Sequence, residues 1–184
     1  MRLISILTFS LLVGCAHNVA QFIPITYGER EALYFTGRGS AAGIMMDAYM
    51  GGAGVAIGIA IDEGIAKDIS SALFANNPKF SMVALVGGVL REQEKKGVSI
   101  AGLKSVVVEK FGFQSASDDK VIPLLEMQFV CDSGSPQKIK LVPDEHVQSI
   151  TFEQSKTDGA LVENQLRAAV DVLINKNSRI CSEH

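Results

Sequence analysis

Tryptophan is absent from this chain, and cysteine, proline and histidine are scarce, at three, five and three residues among 184. Three cysteines are too few for the disulfide framework that substitutes for a core in small secreted domains. The histidines, His17, His146 and His184, lie far apart, and no H-x-x-H or C-x-x-C spacing occurs, so the ligand pattern of a zinc site is missing. Positive charge is not in excess either. Against 20 Asp and Glu stand 17 Lys and Arg, a net charge of −3 that offers nothing to a phosphate backbone and excludes nucleic acid as the expected partner. No G-x-S-x-G elbow is present, and Ser133 and Ser135 sit in a turn-like run. The acidic neighbours Asp62-Glu63 and Asp118-Asp119 do not converge on one face of a helix or strand. What the chain does have is apolar content. Hydrophobic residues make up 47% of it, enough to bury a core.

The first residues are the most informative. Arg2 is followed by an apolar run, Leu3 to Val13, broken only by Ser5, Thr8 and Ser10, the pattern of a secretory signal peptide. It is too short for a bilayer span, which needs roughly 20 apolar residues. It closes on Leu12-Val13-Gly14-Cys15, which resembles the lipobox of bacterial lipoproteins, the substrates of signal peptidase II. That resemblance implies removal of residues 1–14 and a mature chain that starts at a Cys15 bearing a diacylglycerol thioether and an N-acyl chain. Several acyl chains together anchor a protein far more firmly than one does. Residue 16 is Ala and not the Asp that retains many such lipoproteins at the inner membrane, so the resemblance places the protein at the outer membrane, facing the periplasm. With Cys15 assigned to lipid, Cys131 and Cys181 remain in a compartment that permits disulfides and are expected to pair. The alternative is two unrelated buried thiols.

Residues 15–30 read as the anchor and a short tether, and about 170 residues remain after the signal peptide, enough for one domain with a sizeable core. Residues 31–77 read as a Gly/Ala-rich helical segment. Small residues recur every fourth position at Ala48, Gly52, Ala56, Ala60 and Gly64, flanked by Gly54 and Gly58, a glycine-zipper-like face that lets backbones approach closely. Val55, Ile57, Ile59 and Ile61 alternate with small residues and also fit a short strand, but the five-position ladder favours a helix. Each glycine weakens an isolated helix by about 1 kcal/mol relative to alanine, so the segment needs a partner surface. Just before it, Thr36 to Gly43 superficially resembles a glycine-rich nucleotide loop. Its spacing departs from G-x-G-x-x-G and no second βαβ unit follows, so no cofactor is expected.

Residues 78–184 read as an α+β domain. Asn77-Pro78 predicts a helix start, with Asn77 as cap and Gly97 as the stop. From Leu103 the period changes to two, predicting strands over 104–113 and 121–131, with Leu125, Met127, Phe129 and Cys131 on the buried side. Segments 138–142 and 147–152 complete an antiparallel meander. A final helix, capped by Thr157 or Asp158, carries Val162, Leu166, Ala169, Val170, Leu173 and Ile174 on one face, with a Glu163–Arg167 surface pair. The expected architecture is an antiparallel sheet of three to four strands with helices on one face, preceded by the Gly/Ala-rich segment. The expected role is a non-enzymatic, membrane-anchored module of an envelope assembly whose small-residue face packs on a protein partner. Membrane activity or self-oligomerisation through the glycine zipper is the alternative, and a periplasmic ligand binder or hydrolase is a further one.

Overall fold

Two long antiparallel strands, β3 (Leu103–Ser115) and β4 (Lys120–Cys131), form the centre of the sheet. The computed structural model describes residues 22–116, 119–132, 136–141, 147–177 and 181; Cys15, the three histidines, Asp118 and the turn at 133–135 lie outside them. In β4 the odd positions Val121, Leu125, Met127 and Phe129 are buried, and Glu126 and Gln128 are only partly covered. β3 carries a register shift between Val108 and Lys110. A bulge inserts one residue, so the buried parity switches from Val106 and Val108 before it to Phe111 and Phe113 after it.

The sheet has six strands among the described residues, and it is mixed. β5 (Gln137–Lys140) pairs antiparallel with β4, as the meander predicts, but β6 (Ile150–Thr151) also pairs antiparallel with β4, at its other end, and not with β5 as a meander requires. β1 (Ile25–Tyr27) and β2 (Tyr34–Thr36) instead run parallel to β3, in register Ile25↔Val106 and Tyr34↔Gly112. The expected three to four strands, all antiparallel, therefore need correction. Each added strand has three residues, too few to display an alternation, and only the edge of β3 specifies them. Ile25–Tyr27 is part of the sheet and not of a tether, and residues 31–77 are not separate from the α+β body.

The helices are α1 (Arg38–Met50), α2 (Gly52–Asn76), α3 (Met82–Lys95), α4 (Phe152–Thr157) and α5 (Gly159–Lys176). The start of α3 differs from the expected one. Asn77 closes α2, its N–H donating to the Leu73 carbonyl, and Ser81 caps α3 by accepting from the Ala84 N–H. Pro78 therefore lies in the connecting turn, and Gly97, at φ 87°, follows the helix end. α5 begins as predicted, the Asp158 carboxylate accepting from the Leu161 N–H at 2.9 Å, and the six positions of its expected stripe, Val162, Leu166, Ala169, Val170, Leu173 and Ile174, are all buried. Its surface charges choose tertiary partners over the i,i+4 neighbour. Arg167 meets Glu92 of α3 at 3.0 Å, and Glu163 accepts from the Asn77 side chain at 3.2 Å.

Cys131, at the end of β4, is joined to Cys181 beyond α5, with Cα atoms 5.4 Å apart. The bond closes a loop of roughly 50 residues, for which the chain-entropy model gives about 4 kcal/mol. It ties the C-terminal tail to the end of the sheet where β1 begins.

Candidate functional site

Two features of the described residues lie outside the ordinary core: a helical hairpin made of α1 and the first half of α2, and a cavity at its base. α1 starts without a side-chain cap of its own, at Gly37 with φ 119°. Its open N–H groups are met from α2. The Asp62 carboxylate accepts from the N–H groups of Gly39 at 2.7 Å, Gly37 at 3.2 Å and Ser40 at 3.3 Å, and from the Ser40 hydroxyl at 3.1 Å. An anion at a helix N-terminus satisfies orphan donors and complements the macrodipole. Asp62 is 7% exposed and has nearly its full accepting capacity used, so this buried carboxylate belongs to structure. The glycine-rich stretch that resembles a nucleotide loop has its N–H groups occupied by the protein's own acid, in the place a phosphate would take. Arg38 fastens the same corner. Its guanidinium lies 3.8 Å over the Phe152 ring and pairs with Asp119.

Above this latch the two helices meet through glycine. Gly39 and Gly43 are the buried residues of α1, and they face Gly54 and Gly58 of α2. A Cβ on Gly58 would run into the Gly39 carbonyl, and one on Gly54 would lie 2.5 Å from the Asp47 backbone nitrogen. Such close approach needs hydrogen as the side chain at Gly39, Gly54 and Gly58, and leaves a Cβ on Gly43 tightly placed at 3.0 Å from the Gly54 carbonyl. The chain reverses at Gly51, φ 59°, whose N–H donates to the Asp47 carbonyl at 2.9 Å.

The region is helical, as the small-residue ladder predicts, but the predicted face is divided. Gly54 and Gly58 are consumed within the chain. Gly52, Ala56, Ala60 and Gly64 are exposed and lie on roughly the opposite side of α2, and Ala48 is exposed on α1. The expectation of one continuous face over all seven positions is thus corrected: the break at Gly51 puts Ala48 on a different helix, and 3.6 residues per turn separates the 54/58 ladder from the 52/56/60/64 ladder.

The outward surface of the hairpin is apolar. Tyr49 is 92% exposed, Met45 74%, Ile44 73% and Ile59 56%, with Val55 and Met50 also open. Between Arg38 and Asp62 the one charged residue is Asp47. α2 changes character at Asp62. Beyond it, Ala66, Ile69 and Leu73 pack into the core, so the second half of this helix of roughly 37 Å is part of the body and the first half extends past it.

The cavity, of about 890 Å³, opens between the β1–β2 connection and the second half of α2. Tyr27, Leu33, Leu73, Phe74, Phe80 and Phe111 give it an apolar lining. Tyr27 and Phe111 rings are 6.2 Å apart and Phe74 and Phe80 rings 6.3 Å, the second pair edge to face. Arg30, Glu31, Glu63 and Lys67 stand around it. The i,i+4 spacing of Glu63 and Lys67 would allow a pair on α2, but no ion pair joins them among the described residues, and both side chains line the cavity.

Sequence reasoning missed Asp62 as a cap supplied from another helix, Arg38 as a clamp, and the cavity. It also left Gly39 and Gly43 out of the glycine seam, although their four-residue spacing matches that of Gly54 and Gly58. Among the described residues no group of three or more His, Cys, Asp or Glu could hold a metal ion, and no helix is long and apolar enough to cross a membrane. No family model, curated protein or solved structure matches the chain.

Proposed function

We infer that this chain is a lipid-anchored bacterial envelope lipoprotein that works without catalysis, its α1–α2 hairpin being the element that docks on an envelope partner. The lipobox-like Leu12-Val13-Gly14-Cys15 supports acylation at Cys15, and Ala16 supports placement at the outer membrane, facing the periplasm. The observation that carries the docking role is the outward surface of the hairpin, where Ile44, Met45, Tyr49, Val55 and Ile59 stand in solvent around a seam that has already used its own glycines. A surface helix normally shows one apolar stripe, and contiguous exposed apolar surface marks an interaction site. Position supports the reading as well. β1 pairs with β3 from Val106 to Val108 and β2 with β3 at Gly112 to Gln114, so the hairpin leaves the sheet roughly 26 Å from the start of the strand that follows the anchor. The lipid would hold one end of the body, and the hairpin would project from the other.

The test is site-directed photocross-linking of the full chain in envelopes, with the probe at Ile44, Tyr49 or Ile59 and a control probe at the exposed Glu94 of α3. Adducts of defined mass from the hairpin sites alone support the reading, and equal adducts from Glu94 refute it. Self-association through the hairpin is the second reading, favoured by the open strip Gly52, Ala56, Ala60 and Gly64. An adduct of twice the chain mass assigns it. Independently, Cys15→Ser removes the acylation site, and protein that still sediments with membranes would overturn the anchor.

A further inference from the structure

Charge and shape at the cavity point to a ligand distinct from the hairpin's partner. The volume of about 890 Å³ falls in the upper part of the roughly 300–1,000 Å³ range of small-molecule sites. Its lining divides into an apolar interior of aromatic and leucine side chains and a border of four charges, Arg30 and Glu31 on the β1–β2 connection and Glu63 and Lys67 on α2. All four are exposed, and none has a hydrogen-bond or ion-pair partner for its side chain among the described residues. Two cations and two anions left open around one apolar cavity match a ligand that joins an apolar chain to a head carrying both signs. Phe74, at 46% exposure, supplies an uncovered aromatic edge where such a chain would enter.

We propose that this cavity takes one acyl chain of a zwitterionic phospholipid, the chain lying among Tyr27, Leu33, Phe74, Phe80 and Phe111, the phosphate at Arg30 and Lys67, and the ammonium at Glu31 and Glu63. A plain fatty acid or an anionic phosphoglycerol lipid satisfies the cations and leaves the acids unmet. A neutral diacylglycerol satisfies neither. The site is separate from the hairpin, so it stands whether or not the hairpin has a protein partner, but it does rest on the reading that the chain lives at a membrane.

The experiment uses the acylated full chain in vesicles of digalactosyl-diacylglycerol, a bilayer lipid whose sugar head carries no charge and so does not compete for the charged border, doped with a trace of lipid bearing a diazirine in its acyl chain. The head is phosphoethanolamine, phosphoglycerol or, for diacylglycerol, absent. Adducts are mapped by peptide mass spectrometry. The expected result is labelling at Phe74, Phe80 and Phe111, competed by unlabelled phosphoethanolamine lipid and at least about tenfold stronger for the phosphoethanolamine probe than for the other two. Ser70→Trp, which fills the lining, should abolish it. Arg30→Glu with Lys67→Glu, at exposed positions that leave packing untouched, should remove the head-group preference even if the tryptophan variant fails to fold. Equal labelling by all three probes, labelling confined to Ile44 and Tyr49, or insensitivity to the paired charge reversal overturns the proposal. Sedimentation of the protein with the vesicles is scored in the same samples: protein that floats with lipid but labels nowhere in the cavity refutes the site alone, and protein that does not associate refutes the membrane reading with it.

Discussion

Two alanine substitutions in one helix, six residues apart, should move stability in opposite directions. Gly58 and Gly64 both lie inside α2, where replacing glycine by alanine gains about 1 kcal/mol of helix propensity. Around Gly64 there is open space for the new methyl group, so the gain should appear nearly whole, at roughly 0.5–1 kcal/mol. At Gly58 the methyl would be driven into the Gly39 carbonyl, with the Gly43 Cα 3.1 Å away on the same side. Neither obstacle is the end of a flexible side chain, so the helices themselves must separate. Overpacking of this kind costs about 1–3 kcal/mol, leaving Gly58→Ala destabilising by about 0–2 kcal/mol after the propensity gain. The glycine seam lies in the half of α2 that precedes its core positions Ala66, Ile69 and Leu73, so the assay must resolve local stability. Amide hydrogen exchange of α1 residues 41–48 reads it directly, with urea unfolding for the global value. Faster exchange in Gly58→Ala and unchanged or slower exchange in Gly64→Ala are expected. If Gly58→Ala protects α1 as well as Gly64→Ala does, the glycine seam is not what holds the hairpin closed.

Replacing Asp62 by Ala strands three backbone N–H groups and a hydroxyl at the start of α1, a loss of about 2–4 kcal/mol in local stability that should appear as deprotection of the Gly39 and Ser40 amides. Asp62→Asn keeps an acceptor and should lose less; equal losses would count against the capping role. Arg38→Ala removes a stacked guanidinium over Phe152 and an exposed ion pair, together worth about 1 kcal/mol, and should loosen the hairpin base while leaving exchange of α5 unchanged. Cys131→Ser should cost up to about 4 kcal/mol in urea unfolding and free the C-terminal tail to protease, with an intact tail as the adverse result.

Long, periodic elements are legible in the sequence. The β4 alternation of Leu125, Met127 and Phe129 and the α5 stripe from Val162 to Ile174 each repeat often enough to declare both their type and their buried face. Of the candidate site, the small-residue spacing of α2 was readable, because 52, 56, 60 and 64 repeat on the helical period. Its use was not. Whether a glycine ladder faces another helix, solvent or a second molecule depends on where the chain turns, and one residue, Gly51, folded α1 back onto 54 and 58 while leaving the other ladder open. β1 was hidden for the opposite reason: three residues carry no period, and the parallel pairing of β1 and β2 to β3 is a property of the edge they meet.

The sequence by itself determined composition, the lipobox-like start, the two cysteines available to pair and the faces of the long elements, since these depend on residues near one another in the chain. Tertiary structure alone decided that Asp62 would cap α1 across 23 residues, that Arg167 would choose Glu92 over Glu163, and that four charges would remain open around one cavity. Local periodicity states which side of an element is apolar. Only the docking of elements states what that side meets, because the energy of a contact is realised between surfaces that the chain brings together from a distance.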